Sequence, residues 1–340
     1  MREAYETSIR MNTSLLAHLL PARTDRYQRR QFEFHNNTGS HLRDIPNSFP
    51  PDKVVELIEA LPNPRDKMAI ILMAFGSLRI SETMHLFLED AARSFRDTKA
   101  AYVALGHPVE GYYEWVDNKS RSRSGTRAEY LMEMYNRVPR NRMWGMEEYA
   151  GWKGMEVGDK KNRGFIHWIH EGAGVYFRQL FHEYFNEIFR DKPEGWPGHP
   201  YLSVKTDRDH FGEPLTIDNL SNQFYAACKK IGLDRRSPGV NPHGLRHFYG
   251  FYSADILGVK LEILQRQMHH ASPLSTNVYY HVSHLKIRKQ LIEAQRQYGG
   301  QSPEGKESKL EVIVPTNDRS ALVRDPFGLL DYFRKRALKQ

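Results

Sequence analysis

Residues 243–282 read HGLRHFYGFYSADILGVKLEILQRQMHHASPLSTNVYYHV. Most of this stretch has helical spacing, yet its polar groups gather at the turns. His243, Arg246 and His247 open it, His269 and His270 stand in the middle, and Tyr279 and Tyr280 close it. Asn241-Pro242 precede His243. Asn is a favoured N-cap and Pro suits the first helical position. His243 and Arg246 therefore belong to a first turn and, three apart, share a face. Such a turn offers unpaired N–H groups and the positive end of the helix dipole, a good receptor for phosphate. Gly258 ends the helix. Leu261, Leu264 and Met268 mark a second buried stripe that stops at His269-His270, before Pro273. A third short helix is expected to carry Val278, Tyr279 and Tyr280. Polar groups at three helix ends can meet at one point while the helix bodies stay apolar.

Upstream, Val55, Leu57, Ile58 and Leu61 predict an amphipathic helix closed by Pro62. DKMAIILMAFG, residues 66–76, is apolar all round and predicts a buried helix with Gly76 at its C-terminal end. Ser81 can cap a helix carrying Leu86 and Leu88. Residues 101–116 read as strand or hairpin, and 117–127 as a polar loop with Lys119, Arg121, Arg123 and Arg127. A helical piece follows at 128–138. Residues 151–169 look like two strands around a turn. Helices are expected over 173–190 and over 216–231, the latter capped by Thr216 and stopped by Gly232. The fold class is α+β, mainly α: packed helices with a small antiparallel β-sheet. Residues 1–48 form a basic N-terminal arm, 49–300 the main domain, and 301–340 a linker and tail. The tail holds a candidate strand, KLEVIVP, and a candidate amphipathic helix, DPFGLLDYFRKRALK.

The 340 residues include 49 Lys and Arg against 41 Asp and Glu, a net charge of +8. That balance favours an acidic partner such as nucleic acid. Cys228 is the single cysteine, so neither an internal disulfide nor a thiolate zinc site can form, and a reducing compartment suits the chain. No apolar run approaches the ~20 residues of a bilayer span. His18 breaks the N-terminal apolar run, which makes a poor secretory segment. A soluble, intracellular chain is expected, with no membrane contact.

Arg246 is followed after 24 residues by His270, and His270 after nine by Tyr279. With HGLRH, MHH and YYHV in this order, the chain resembles the tyrosine recombinase (phage integrase) family. GSLRISE at 76–82, with Arg79, matches an earlier arginine motif of that family. GWKG and KKNRGFIHWI resemble its lysine-bearing β-turn, which points to Lys153, with Lys160 and Lys161 as alternatives. The resemblance spans roughly residues 50–295.

It implies an integrase-like catalytic domain, with 1–48 the arm or the remnant of a core-binding domain and an insertion at about 110–150. It implies a site-specific recombinase or integrase of a mobile element, in which the Tyr279 oxygen attacks a DNA phosphodiester and leaves a 3′-phosphotyrosine intermediate. Arg79 and Arg246 would clamp the phosphate, and His243 and His270 would donate hydrogen bonds to it. His243 would take the phenolic proton, Lys153 would protonate the leaving oxygen, and Glu82 would orient its neighbours. Tyr280 is the rival nucleophile, and His269 is structural or DNA-facing. No metal or nucleotide cofactor is called for, although His243 and His247 stand at zinc-ligand spacing. Double-stranded DNA is the expected partner, with Lys119, Arg121, Arg123 and Arg127 tracking its backbone. A homo-oligomer, dimer to tetramer on DNA, is expected, with tails exchanged between protomers. The compartment would be the cytoplasm and nucleoid of a bacterium or phage host. Two other activities fit the same residues: a DNA-binding protein that no longer cuts, and a type IB topoisomerase-like enzyme.

Overall fold

Helix α2 (Pro64–Gly76) is the axis of the fold. Asn63 caps it, its side chain accepting from Asp66 N at 2.9 Å, and Pro64 takes the first helical position. Ile70, Ile71, Leu72, Met73 and Phe75 are buried, each worth roughly 1.5–3 kcal/mol in transfer free energy. Its flanks are covered by α6 (Glu171–Tyr184) and α8 (Pro242–Phe251), with Phe75 edge-on to Phe248 at 5.9 Å. The expected all-apolar helix is present and ends at Gly76, with Ser77 as its C-cap. Ser77 adopts the left-handed conformation at φ 63° and Leu78 N closes the end on Leu72 O at 3.0 Å. Gly76 is there for close packing: a Cβ on it would lie 2.6 Å from Ile166 Cγ2.

The computed structural model describes residues 46–97, 99–156, 159–189, 198–280 and 328–337. All of these belong to one compact unit that begins at Ile45. Residues 1–45, the 301–327 linker and KLEVIVP lie outside the described residues.

Around α2 stand α1 (Val54–Ala60), α3 (Ile80–Thr83), α4 (Leu88–Ala91) and α7 (Ile217–Lys230). Thr216 caps α7 as its sequence predicts, accepting from Asn219 N at 3.2 Å. Asn241 caps α8, accepting from Gly244 N at 2.9 Å. α8 runs on as a π-turn over Tyr252–Ile256, and Gly258 follows with φ 67°. Next come α9 (Leu261–Gln267) and α10 (Pro273–Asn277). Tyr279 and Tyr280 stand just past α10 rather than within it, because the helix ends at Asn277 with Val278 as its C-cap. The terminal helix α11 (Leu329–Ala337) lies on α6, with Phe333 edge-on to Phe75 at 4.9 Å and Tyr332 donating to Glu59 at 2.5 Å.

Among the described residues, the expected small antiparallel β-structure is three two-stranded sheets. β1 (Arg93–Ser94) pairs with β2 (Ala101–Tyr102), and β3 (Ala104–Gly106) pairs with β6 (Arg163–Phe165). Between β3 and β6 stands a separate hairpin, β4 (Tyr112–Val116) with β5 (Ser122–Thr126), leading into α5 (Arg127–Tyr135). Within the polar loop expected at 117–127, residues 122–126 are thus strand and 117–121 form the turn. Asp117 organises the turn, its carboxylate accepting from the backbone N–H of Lys119 and of Arg121 at 2.9 Å each. In the expected strand pair at 151–169, β6 is the one strand among the described residues; 151–156 has no ladder partner.

Candidate active site

Three chain segments bring Arg79, Arg246 and Glu82 together. The left-handed turn at Ser77 sends the chain from α2 into α3, with Arg79 as its N-cap. Glu82, 1% exposed, accepts from Arg79 N at 2.7 Å and pairs with the Arg79 guanidinium. Its other oxygen lies 3.8 Å from Arg246 Nη1. One buried carboxylate therefore sits between two guanidinium groups and offsets their mutual repulsion. Arg246 is fully buried, donating to the carbonyls of Ser77 and Met268. Burial pulls its pKa down to about 10, with Glu82 opposing, so it is cationic at neutral pH. Arg79 leaves 19% of its side chain exposed, and among the described residues its Nε and Nη2 have no protein partner. Those N–H groups are available to an anion.

The histidines and Tyr279 complete the cluster. His270, buried, pairs through Nδ1 with Thr276 Oγ1 at 2.9 Å, which fixes the ring. Its pKa falls to about 3 through burial first, then the charges of Arg246 and Arg79. His243 keeps an exposed edge, yet its pKa falls to about 4 through burial of the rest, then Arg246, Arg79 and Lys153. Tyr279 is half-buried. Burial pushes its hydroxyl up to about 12, while Arg246 and Arg79 pull the other way. The same two guanidinium charges thus act on His243, His270 and Tyr279, which makes them one electrostatic site.

His247 is the residue the sequence reading left out of this set. Its Nδ1 lies 2.8 Å from the Tyr279 hydroxyl, and its ring meets His243 edge-on at 4.4 Å. His243, His247 and Gly250 form one stripe of α8, at i, i+4 and i+7. Gly250 is the notch in that stripe: a Cβ there would lie 2.6 Å from the Tyr279 ring. A small residue one turn beyond two histidines was the available signal.

The alternatives separate. Tyr280 donates to Val259 O at 2.6 Å, and its pKa rises to about 12 through burial and then the Glu262 charge, with no cation opposing. Lys153 is exposed, and its charge reaches His243. Lys161 instead lies over the Tyr112 ring at 4.8 Å, on the hairpin, and Lys160 is exposed. His269 takes φ 52° where a glycine would be relaxed, held by Nε2 to Phe165 O at 2.9 Å. Of the basic run, Lys119, Arg121 and Arg123 are exposed, Arg121 beside Asp117 and Arg123 3.5 Å from Glu133. Arg127 is not on that surface. It is 2% exposed, ion-paired to Asp90 and stacked 4.0 Å over Phe87, so no backbone phosphate can reach it. Among the described residues, no three His, Cys, Asp or Glu side chains form a group able to hold a metal, and no helix is long and apolar enough to cross a membrane.

No family model matches the chain. Over 117 residues it is 31% identical to the tyrosine recombinase XerC of Listeria monocytogenes serotype 4b, covering 33% of this chain and 36% of that protein. It is 34% identical over 82 residues to XerC of Listeria innocua serovar 6a, covering 23% of this chain and 25% of that protein. The chain thus spans about a third or less of the length of these curated relatives. Among solved structures, it is similar to the Tn1549 transposon integrase in complex with circular intermediate DNA, at 16% identity and TM-score 0.47, covering 86% of this chain and 85% of that one. It is also similar to the XerA recombinase, at 16% identity and TM-score 0.44, covering 76% of this chain and 66% of that one. Over the matched stretches of 82 and 117 residues, the chain is similar to curated tyrosine recombinases.

Proposed function

We propose that this chain cuts and rejoins DNA as a site-specific recombinase, through a covalent bond between Tyr279 and a 3′ phosphate. The observation that carries the reading is the sharing of Glu82 by Arg79 and Arg246, with Tyr279 inside the field of both. Phosphoryl transfer gains negative charge on the equatorial oxygens, so fixed cations stabilise the transition state more than the ground state. Arg79 supplies N–H groups with no partner among the described residues, and Arg246 supplies a charge that needs no reorganisation. His243 and His270, neutral at pH 7, donate hydrogen bonds to phosphate oxygens without adding charge. The Tyr279 oxygen attacks phosphorus, the 5′ oxygen leaves, and Lys153 gives that oxygen its proton as general acid. A 5′ hydroxyl from a second strand reverses the step. The energy of the broken ester is held in the phosphotyrosine, so the bond can be remade without a nucleotide.

The exposed cations Lys119, Arg121 and Arg123 are assigned to the DNA backbone, with Arg127 a structural residue of the insertion. Exchange between two sites requires more than one copy on DNA, in the cytoplasm where that DNA lies. The arm at 1–48, the main domain at 49–300 and the tail at 301–340 are the proposed divisions.

The test begins by crosslinking the protein to cellular DNA and sequencing what is recovered. A nicked duplex built on that site, incubated with wild type, is expected to give a protein–DNA adduct on a denaturing gel. Tyr279→Phe is expected to bind and form none. Binding without any wild-type adduct would establish the non-cutting alternative. An adduct with relaxation of supercoils but no exchange between two sites would establish the topoisomerase-like one.

A further inference from the structure

The Tyr279 hydroxyl is held by one ring, and it is not the ring to which the family resemblance assigns the proton. His247 Nδ1 lies 2.8 Å from Tyr279 Oη. His243 stands one helical turn earlier on α8, in edge-to-face contact with His247 at 4.4 Å. We propose that His247 is a catalytic residue of this site, its Nδ1 accepting the phenolic proton as the Tyr279 oxygen bonds to phosphorus. The assignment rests on the phosphodiester reading above. In the step, the Oη–H bond breaks and an Nδ1–H bond forms. The O–P bond forms as the P–O5′ bond breaks, and the 5′ oxygen receives its proton from Lys153.

Three observations support the division of labour between the two histidines. The stripe His243, His247, Gly250 leaves space for the Tyr279 ring only at Gly250, which seats the hydroxyl at His247. His243 has an exposed edge and lies in the field of Arg246, Arg79 and Lys153, the groups assigned above to the phosphate and the leaving oxygen. His247 is neutral near pH 7 and able to accept, its pKa held at about 4 by burial, then by His243 and Arg246. The charged and titratable groups facing it are His243 and Arg246 from α8, His270 from the turn after α9, and Tyr279 from the turn after α10. A base hydrogen-bonded to its proton donor in the resting site contributes roughly 10²–10⁴-fold in rate.

The test is single-turnover adduct formation on the nicked duplex from pH 6 to 9, with His247→Asn beside His243→Asn. Asn at 247 can still accept a hydrogen bond from Tyr279 but cannot hold its proton. Wild type is expected to be flat with pH. His247→Asn is expected to be at least about 100-fold slower at pH 7. Its rate should climb about tenfold per pH unit, because the phenol must then ionise by itself. His243→Asn is expected to lose rate without that slope. A flat His247→Asn profile, or the slope in His243→Asn instead, overturns the assignment while the wild-type adduct leaves the phosphodiester reading standing. No wild-type adduct removes both together. Should the Asn variant not fold, nitrogen-15 spectra of labelled histidines decide. The His247 Nδ1 signal must shift between wild type and Tyr279→Phe, and an unchanged signal overturns the pairing.

Discussion

Two buried arginines, Arg246 and Arg140, look alike by exposure and differ in what surrounds them. Arg140 donates to three carbonyls, those of Glu148, Met84 and Leu215, and stacks 5.3 Å from the Tyr201 ring. These bonds tie the insertion between β3 and β6 to α3 and to the start of α7. Arg246 donates to two carbonyls, but it also has Glu82, Arg79, His243, His247, His269, His270 and Tyr279 within its field. Burial of a charge alone therefore marks structure as readily as chemistry. What distinguishes the site is a second, partly exposed cation beside the first and neutral proton carriers around both.

Paired substitutions cross these two regions. Arg79→Lys is expected to cut adduct formation roughly 10²–10³-fold, as loss of a positioned donor to developing charge does. Its melting temperature should stay within a few degrees of wild type. Arg140→Met should do the reverse. Three carbonyls lose their donor, at ~1–3 kcal/mol each, so unfolding in urea shifts strongly while the folded fraction still forms adduct at the wild-type rate. A similar rate loss in both variants would erase the distinction.

Gly250→Ala comes next in size. The helix tolerates alanine, but the new Cβ meets the Tyr279 ring. Folding should be unimpaired and the adduct rate reduced about tenfold or more, since about 1.4 kcal/mol of misplacement is one decade.

Acid stability sharpens the comparison from the structural side. His85 donates to Ala150 O within the insertion contact, and burial drives its pKa to about 3; His270 in the site is also at about 3. Both are depressed below the unfolded value of 6.5, so between these limits the unfolded chain binds protons that the folded chain refuses. Stability is then full above pH ~6.5 and erodes as pH falls toward about 3. Chemical denaturation at pH 7, 6 and 5 should show this loss, and His85→Gln should flatten it. The smallest effect is expected at the hairpin tip. Lys119→Ala and Arg121→Ala should leave cleavage chemistry unchanged and each reduce the salt slope of DNA binding by about one.

Much of the site was legible because its residues stand at punctuated helix ends. Asn241-Pro242 announced the first turn of α8, and the intervals from Arg246 to His270 and Tyr279 marked the rest. The helix at 66–76 was legible from its unbroken apolar run. Other features depended on contacts distant in sequence. β5, SRSGT, has no alternation because both faces are largely solvated, and the Asp117 turn sets its pairing. Arg127 reads as one more exposed cation, but the Thr126 cap starts α5 there and Asp90, 37 residues away, receives it. The role of Gly76 depends on Ile166, and that of His247 on Tyr279, 32 residues downstream.

The most direct measurement is mass spectrometry of the protein after reaction with the nicked duplex, followed by nuclease and protease digestion. A nucleotide phosphate carried on Tyr279, and absent after Arg79→Lys under the same brief reaction, is the expected result. The same mass on Tyr280, or on no residue of a protein that binds the duplex fully, would contradict it.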